Sequence, residues 1–128
     1  MLLDTTFIID MQREILRKRT AGAHRFLADH PEIMLRISIV TYGELAEGFA
    51  TETVEAFQEL VHPFQIIMLT NEMAWRFGVL SRLMRSSGQP LGDNDLWIAA
   101  TALELGAPLV TRDRSHFERI SGLSVMTY

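Results

Sequence analysis

The chain has 128 residues, 48% of them hydrophobic and 22% charged, enough for one domain that buries a core of its own. It has no cysteine, which excludes a disulfide framework and any thiolate metal site and makes a reducing compartment, the cytoplasm, the expectation. No apolar run is long enough to span a bilayer, and the net charge of −4 argues at first sight against a polyanionic partner.

Taken in chain order, short apolar and β-branched runs alternate with helical patterns, which predicts βαβ units and a parallel sheet. A first strand over 1–3 ends at Asp4, and Asp4 or Thr5 could cap a short helix through 7–10. The run Arg13, Arg17, Lys18, Arg19 reads either as a solvated helix face, with Glu14 and Lys18 spaced as an i,i+4 pair, or as a patch facing RNA. A helix over 21–28 leads to a strand over 34–39, followed by helices over 42–49 and 52–61 and a strand over 65–69. In the next helix, 72–85, Met73, Phe77, Leu80 and Met84 recur at helical spacing and predict one buried face. The turn cluster 86–92 precedes a helix over 93–105 that is apolar on most sides and stopped by Gly106. Strands over 108–111 and 124–127 close the pattern, giving five in all. Trp75 and Trp97 both fall in apolar helical patterns and are expected in the core.

Four acids stand at the junctions of these elements. Asp4 follows the first strand, Glu44 comes just after the second, Asp113 follows the fourth, and Asp95 lies in the first turn of its helix. In a parallel sheet the first three lie outside the carboxyl ends of the strands, where open α/β sheets bind ligands, and Asp95 joins them if its helix starts at the same edge. Each acid also has an ordinary reading. Thr41-Tyr42-Gly43-Glu44 matches a capping box, Asp93 is a good N-cap that leaves Asp95 as a helix-dipole acid, and Asp113 could cap 114–120. Yet Thr5, Thr6, Thr41 and Thr111 already offer hydroxyl caps, so capping alone does not require acids there. Carboxylates gathered at one edge repel one another, and a divalent cation removes that cost. Oxygen ligands without cysteine or clustered histidine point to Mg²⁺ or Mn²⁺ rather than zinc. Setting the four acids aside leaves 12 acidic against 12 basic residues, which weakens the charge argument against nucleic acid. His24, His30, His62 and His116 show no metal-ligand spacing, and Arg112 and Arg114, flanking Asp113, are candidates for binding phosphate.

Four segments in order resemble the successive motifs of PIN-domain ribonucleases, and within them the VapC-type toxins of bacterial toxin–antitoxin pairs. They are Leu3-Asp4-Thr5-Thr6, the run from Ser38 to Gly48 around Glu44, Asp95-Leu96-Trp97-Ile98-Ala99-Ala100, and the run from Leu109 to Phe117 around Asp113. The resemblance implies a single three-layer α/β/α domain over 1–128. It implies an endoribonuclease dependent on Mg²⁺ or Mn²⁺, a VapB-like antitoxin as partner, and a homodimer. On that pattern Asp4, Glu44, Asp95 and Asp113 are the acidic metal-binding positions, with Thr111 as an assisting hydroxyl. Asp93, Thr5 and Thr6 stand as outer contacts, although the family often has asparagine where Thr6 stands. Two other acidic-pocket classes fit poorly. A haloacid-dehalogenase phosphatase needs a second aspartate at Thr6, and a receiver domain needs a late lysine where Lys18 is the only lysine. The remaining alternative is a catalytically idle PIN-like module that binds protein.

Overall fold

The computed structural model describes all residues from Met1 to Tyr128. Five short strands, β1 (Leu2–Leu3), β2 (Arg36–Ser38), β3 (Gln65–Ile67), β4 (Leu109–Val110) and β5 (Val125–Met126), form one sheet in the order β3-β2-β1-β4-β5. Every pairing is parallel, so each connection must cross over, and helices make the crossings. The helices are α1 (Thr5–Leu16), α2 (Gly22–Asp29), α3 (Ile39–Glu47), α4 (Val54–Val61), α5 (Asn71–Ser86), α6 (Asp93–Glu104) and α7 (Arg114–Phe117).

The alternation of side chains along a strand sorts the core into two halves. Leu3, Ile37 and Val110 point to one face and pack with Phe7, Ile8, Ala23, Phe26, Leu45 and Phe57 from α1 to α4. Leu2 and Leu109 point to the other and pack with Leu80, Met84, Leu96, Ile98 and Phe117 from α5 to α7. Sheet residues buried on both faces read as continuous apolar runs, and the layering is α/β/α. Each fully buried leucine contributes about 1.5–3 kcal/mol, so even two-residue strands are firmly held.

Several boundaries differ from those the sequence suggests, each for a local reason. The first helix runs to Leu16 rather than Asp10, because Met11 and Glu14 carry the buried stripe of Phe7 and Ile8 further along it. The helix expected from Tyr42 begins at Ile39, since Ser38 caps it by accepting from the Thr41 amide at 2.9 Å. The helix expected from Glu52 begins at Val54, after a 3-10 turn over Thr51–Thr53. The strand over 34–39 contracts to 36–38, and that over 65–69 to 65–67. Trp75 is not a core residue: it is 77% exposed, because the buried stripe of α5 passes through Met73, Leu80 and Met84 instead. Trp97 is partly buried and stacks on Phe77 at 4.1 Å between ring centroids.

Glu14 is also not a surface partner of Lys18. Its carboxylate is buried and accepts from the amides of Ala21, Ala23 and His24, and its Oε2 lies 2.6 Å from His24 Nδ1, so α1 anchors the start of α2. Burial alone would push this carboxyl up, but those donors outweigh it and hold it down at about 2, against an ordinary 4.5. Because the folded value lies below the unfolded one, the contribution is present above about pH 4.5 and is lost as pH falls toward 2. Lys18 itself sits in the left-handed region at φ 50. The amide of Lys18 bonds Ile15 O and that of Arg19 bonds Glu14 O, a Schellman ending of the kind also found after α5 and α6, where Gly88 and Gly106 take the left-handed position. A lysine there costs about 1 kcal/mol.

Two outcomes follow from this anchoring. We expect Glu14→Gln to lower stability by about 2–3 kcal/mol at pH 7 in urea titrations and to flatten the loss of stability between pH 4.5 and 2. Lys18→Gly should raise stability by about 1 kcal/mol, read as a higher melting temperature.

Candidate active site at the carboxyl edge of the sheet

The centre of the sheet delivers one carboxylate into a buried position. β1 is the middle strand, and the Asp4 amide bonds Val110 O at 3.0 Å, so Asp4 is the first residue beyond the paired segment and the N-cap of α1. It makes no side-chain cap bond. Its Oδ2 instead accepts from the Thr111 hydroxyl at 2.7 Å and the Thr6 hydroxyl at 2.8 Å, with only 4% of the residue exposed. Burial raises its pKa most; the bonds from Thr111, Thr6 and the Thr5 amide oppose that, and the charge of Glu44 adds to the rise.

Two more carboxylates bear on it from neighbouring elements. Glu44 is carried by the second turn of α3, which follows β2 directly, and its Oε2 accepts from the Thr5 hydroxyl while its Oε1 accepts from Asn94 Nδ2 at 2.9 Å. The capping-box reading of Glu44 therefore does not apply, since Ser38 caps α3 and Thr41 lies inside it. Asp95, in the first turn of α6, is raised above the ordinary carboxylate range by burial, then by the charge of Asp4, with Glu44 adding and His116 opposing. His116 Nδ1 stands 3.5 Å from Asp95 Oδ2. Asp4, Glu44 and Asp95 thus act on one another electrostatically.

Asp113 is linked to the group less directly. It is exposed at the N-cap of α7 and makes no cap bond, but its amide donates to Thr111 Oγ1 at 3.0 Å, so the hydroxyl that serves Asp4 also fixes the turn bearing Asp113. No three carboxylates or imidazoles stand close enough to grip a single ion with their side chains as they are. The donor set nevertheless suits a hard cation: four oxygen acids are grouped by charge or by Thr111, and two carry raised pKa values that a nearby positive charge would lower.

The remaining candidates fall into three groups. Thr5 and Thr6 both hold site acids through their hydroxyls. Asp93 is exposed and lines a separate crevice with Arg85 and Pro90, while Gly92 is the N-cap of α6, so Asp93 is not the cap that its position suggests. Arg114 pairs with Glu118, and Arg112 pairs with Asp10 at 2.7 Å. Sequence reasoning missed Asn94, which steadies Glu44, and set aside His116, which faces Asp95. The only local signal for Asn94 is an amide between two acids at a helix start, and for His116 it is a place in the segment around Asp113.

The chain resembles known proteins over nearly its whole length. The sequence model of the PIN domain matches residues 1–123. The chain is 31% identical over 127 residues to ribonuclease VapC1 of Haemophilus influenzae (strain R2866), a match spanning 95% of this chain and 92% of that one. To ribonuclease VapC1 of Methanocaldococcus jannaschii it is 28% identical over 131 residues, spanning 99% of this chain and 85% of that one. The structure of VapBC-1 from nontypeable Haemophilus influenzae superposes with a TM-score of 0.82 at 26% identity, covering 98% of this chain and 96% of that one. VapBC2 from Rickettsia felis, solved bound to a DNA fragment from its promoter, superposes at 0.81 with 23% identity over 98% and 96% of the two chains and bears on the fold alone.

Because an ionised Asp4 is costly in this setting, Asp4→Asn should melt at a higher temperature than the parent in EDTA near pH 7, the amide oxygen still accepting from Thr6 and Thr111. Added Mn²⁺ should raise the parent's melting temperature and leave that of Asp4→Asn nearly unchanged. A variant less stable than the parent in EDTA would contradict a net cost of burying the charged carboxylate.

Proposed function

This chain belongs to the PIN-domain family, and from that premise we propose that it is an endoribonuclease dependent on Mg²⁺ or Mn²⁺, the toxin of a type II toxin–antitoxin pair. The observation that carries the reading is the buried Asp4 at the end of the central strand, with the charges of Glu44 and Asp95 bearing on one another and on it. The relatives named as ribonucleases and the VapBC complexes of the same fold support it.

Asp4, Asp95 and Asp113 would hold the cation, with Glu44 completing the set. When bound, the ion supplies Lewis-acid polarisation of the scissile phosphate and neutralises charge that would otherwise repel RNA. The chain's own groups do the rest. Thr111 and Thr6 donate to Asp4 Oδ2 and leave its Oδ1 free of side-chain donors, so the carboxylate is oriented before any ligand arrives. Glu44, gripped on both oxygens by Thr5 and Asn94, is rigid enough to orient an attacking water. Hydrolysis of the phosphodiester then needs no covalent intermediate with the protein.

The partner reading has its own support. A groove of about 440 Å³ between α3 and α4 is lined by Tyr42, Ala46, Phe49, Val54 and Phe57, an apolar surface that suits a segment of an antitoxin. Trp75 and Leu83 on α5, exposed by 77% and 56%, suit a second copy of this chain. No helix is long and apolar enough to cross a membrane.

Purified protein should cleave RNA with Mg²⁺ or Mn²⁺ and not in EDTA, and Asp4→Asn should lower the rate by about a hundredfold or more while the fold persists. Asn94→Ala should lower kcat about tenfold with little change in KM, because it loosens Glu44 and touches no substrate. Absence of cleavage by the parent on total cellular RNA would favour the idle binding module instead.

A further inference from the structure

Beside the later turns of α1, from Asp10 to Arg17, lies a cavity of about 330 Å³ that the catalytic chemistry does not use. It is lined by Arg13, Arg17, Arg19 and Arg112, four of the chain's eleven arginines, together with Asp10, Glu14 and Tyr128. This concentration of guanidinium groups stands out in a chain whose net charge is −4. Both acids are already committed. Glu14 is saturated by three amides and the His24 ring, and Asp10 binds Arg112 through both its oxygens, at 2.9 and 2.7 Å, and accepts from Tyr128 Oη at 3.0 Å. Arg13 reaches Asp10 only at 3.5 Å, and Arg17 and Arg19 have no ion-pair partner. The left-handed Lys18 between those two residues turns the chain at the rim of the cavity, a strained position that glycine would fill more cheaply.

The cavity is joined to the acidic edge by a short chain of bonds. The Arg112 amide donates to Thr6 Oγ1 at 3.3 Å, and Thr6 donates to Asp4. Asp10 lies six residues beyond Asp4 on the same helix, about 9 Å along its axis. That is the span of only one or two nucleotides of a single strand, whose neighbouring phosphates stand farther apart than the axial rise of a duplex.

We propose that this arginine-lined cavity is a subsite for the phosphate backbone of the RNA, holding a phosphate one or two nucleotides from the scissile one. The assignment rests on the nuclease reading for its substrate class. Guanidinium forks match phosphate oxygens, and unpaired guanidinium groups such as those of Arg17 and Arg19 give up no protein partner to bind them. Asp10 is the counter-ion of the empty cavity. It holds Arg112 in place and gives it up to phosphate, which makes Asp10 an opponent of RNA binding.

The test measures binding without turnover. In an Asp4→Asn background, anisotropy of a labelled single-stranded RNA of about 12 nucleotides is read across salt concentrations. Arg17→Gln with Arg19→Gln should weaken binding and reduce the slope of log K against log salt by about 1.4, so that going from about 50 to about 200 mM salt costs the variant about sevenfold less than its parent. Asp10→Asn, which keeps an acceptor for Tyr128, should act in the opposite sense, tightening binding and steepening the slope. Thermal melts check that each variant is folded. Unchanged slopes in folded variants overturn the proposal, as does weaker RNA binding by Asp10→Asn. So does a loss confined to an antitoxin co-expressed with the chain, which would make the cavity a protein-binding surface. The nuclease reading fails by a separate measurement, absence of cleavage by the parent with Mg²⁺ or Mn²⁺.

Discussion

The structure depends on a carboxylate set at the end of its most buried strand. β1 has neighbours on both sides and helices on both faces, and Leu2 and Leu3 are wholly buried on opposite faces. A chain so constrained has no freedom in where its next residue goes. Asp4 therefore emerges at a fixed point of the carboxyl edge, and the threonines around it are spent on satisfying one oxygen. Desolvation without full compensation leaves a group that gains from a cation.

The same edge organises the surrounding acids through quite different local devices. Glu44 is aimed by Thr5 and Asn94, residues of two other helices, so its position reports the packing of α3 against α1 and α6. Asp95 is aimed by the N-terminal turn of α6 and faces His116 of α7. Thr111 serves both Asp4 and the turn that bears Asp113. Positioning a small acidic site thus draws on most of the crossovers of the sheet, and a defect in packing far from the edge is felt there.

The later turns of α1 show how charge is allotted in a chain that is acidic as a whole. Glu14 does structural work, closing the start of α2, and so leaves the arginines near it without a local partner. Asp10 alone balances that side, against Arg112 and more distantly Arg13. One helix thereby carries a group of acids near its start and a group of arginines along its later turns, so charge of both signs is concentrated within a few turns.

Much was legible from the sequence alone because it depends on short-range pattern. Five apolar runs and the helices between them established a parallel α/β domain from periodicities of two and 3.6, and acids just past strand ends marked a candidate site at one edge of the sheet. What tertiary structure decided was the meaning of individual polar residues. Glu44 matched a capping box by spacing, yet Ser38 took the cap because α3 starts three residues earlier than Tyr42. Trp75 read as core by hydrophobicity, yet the rotation of α5 against α6 turned it to solvent. Lys18 read as a partner for Glu14 at helical spacing, yet the helix ended before it and the α2 amides claimed the carboxylate. Local pattern constrains which face of an element is buried, whereas the partner of a polar group is set by whichever distant donor packing brings within 3 Å.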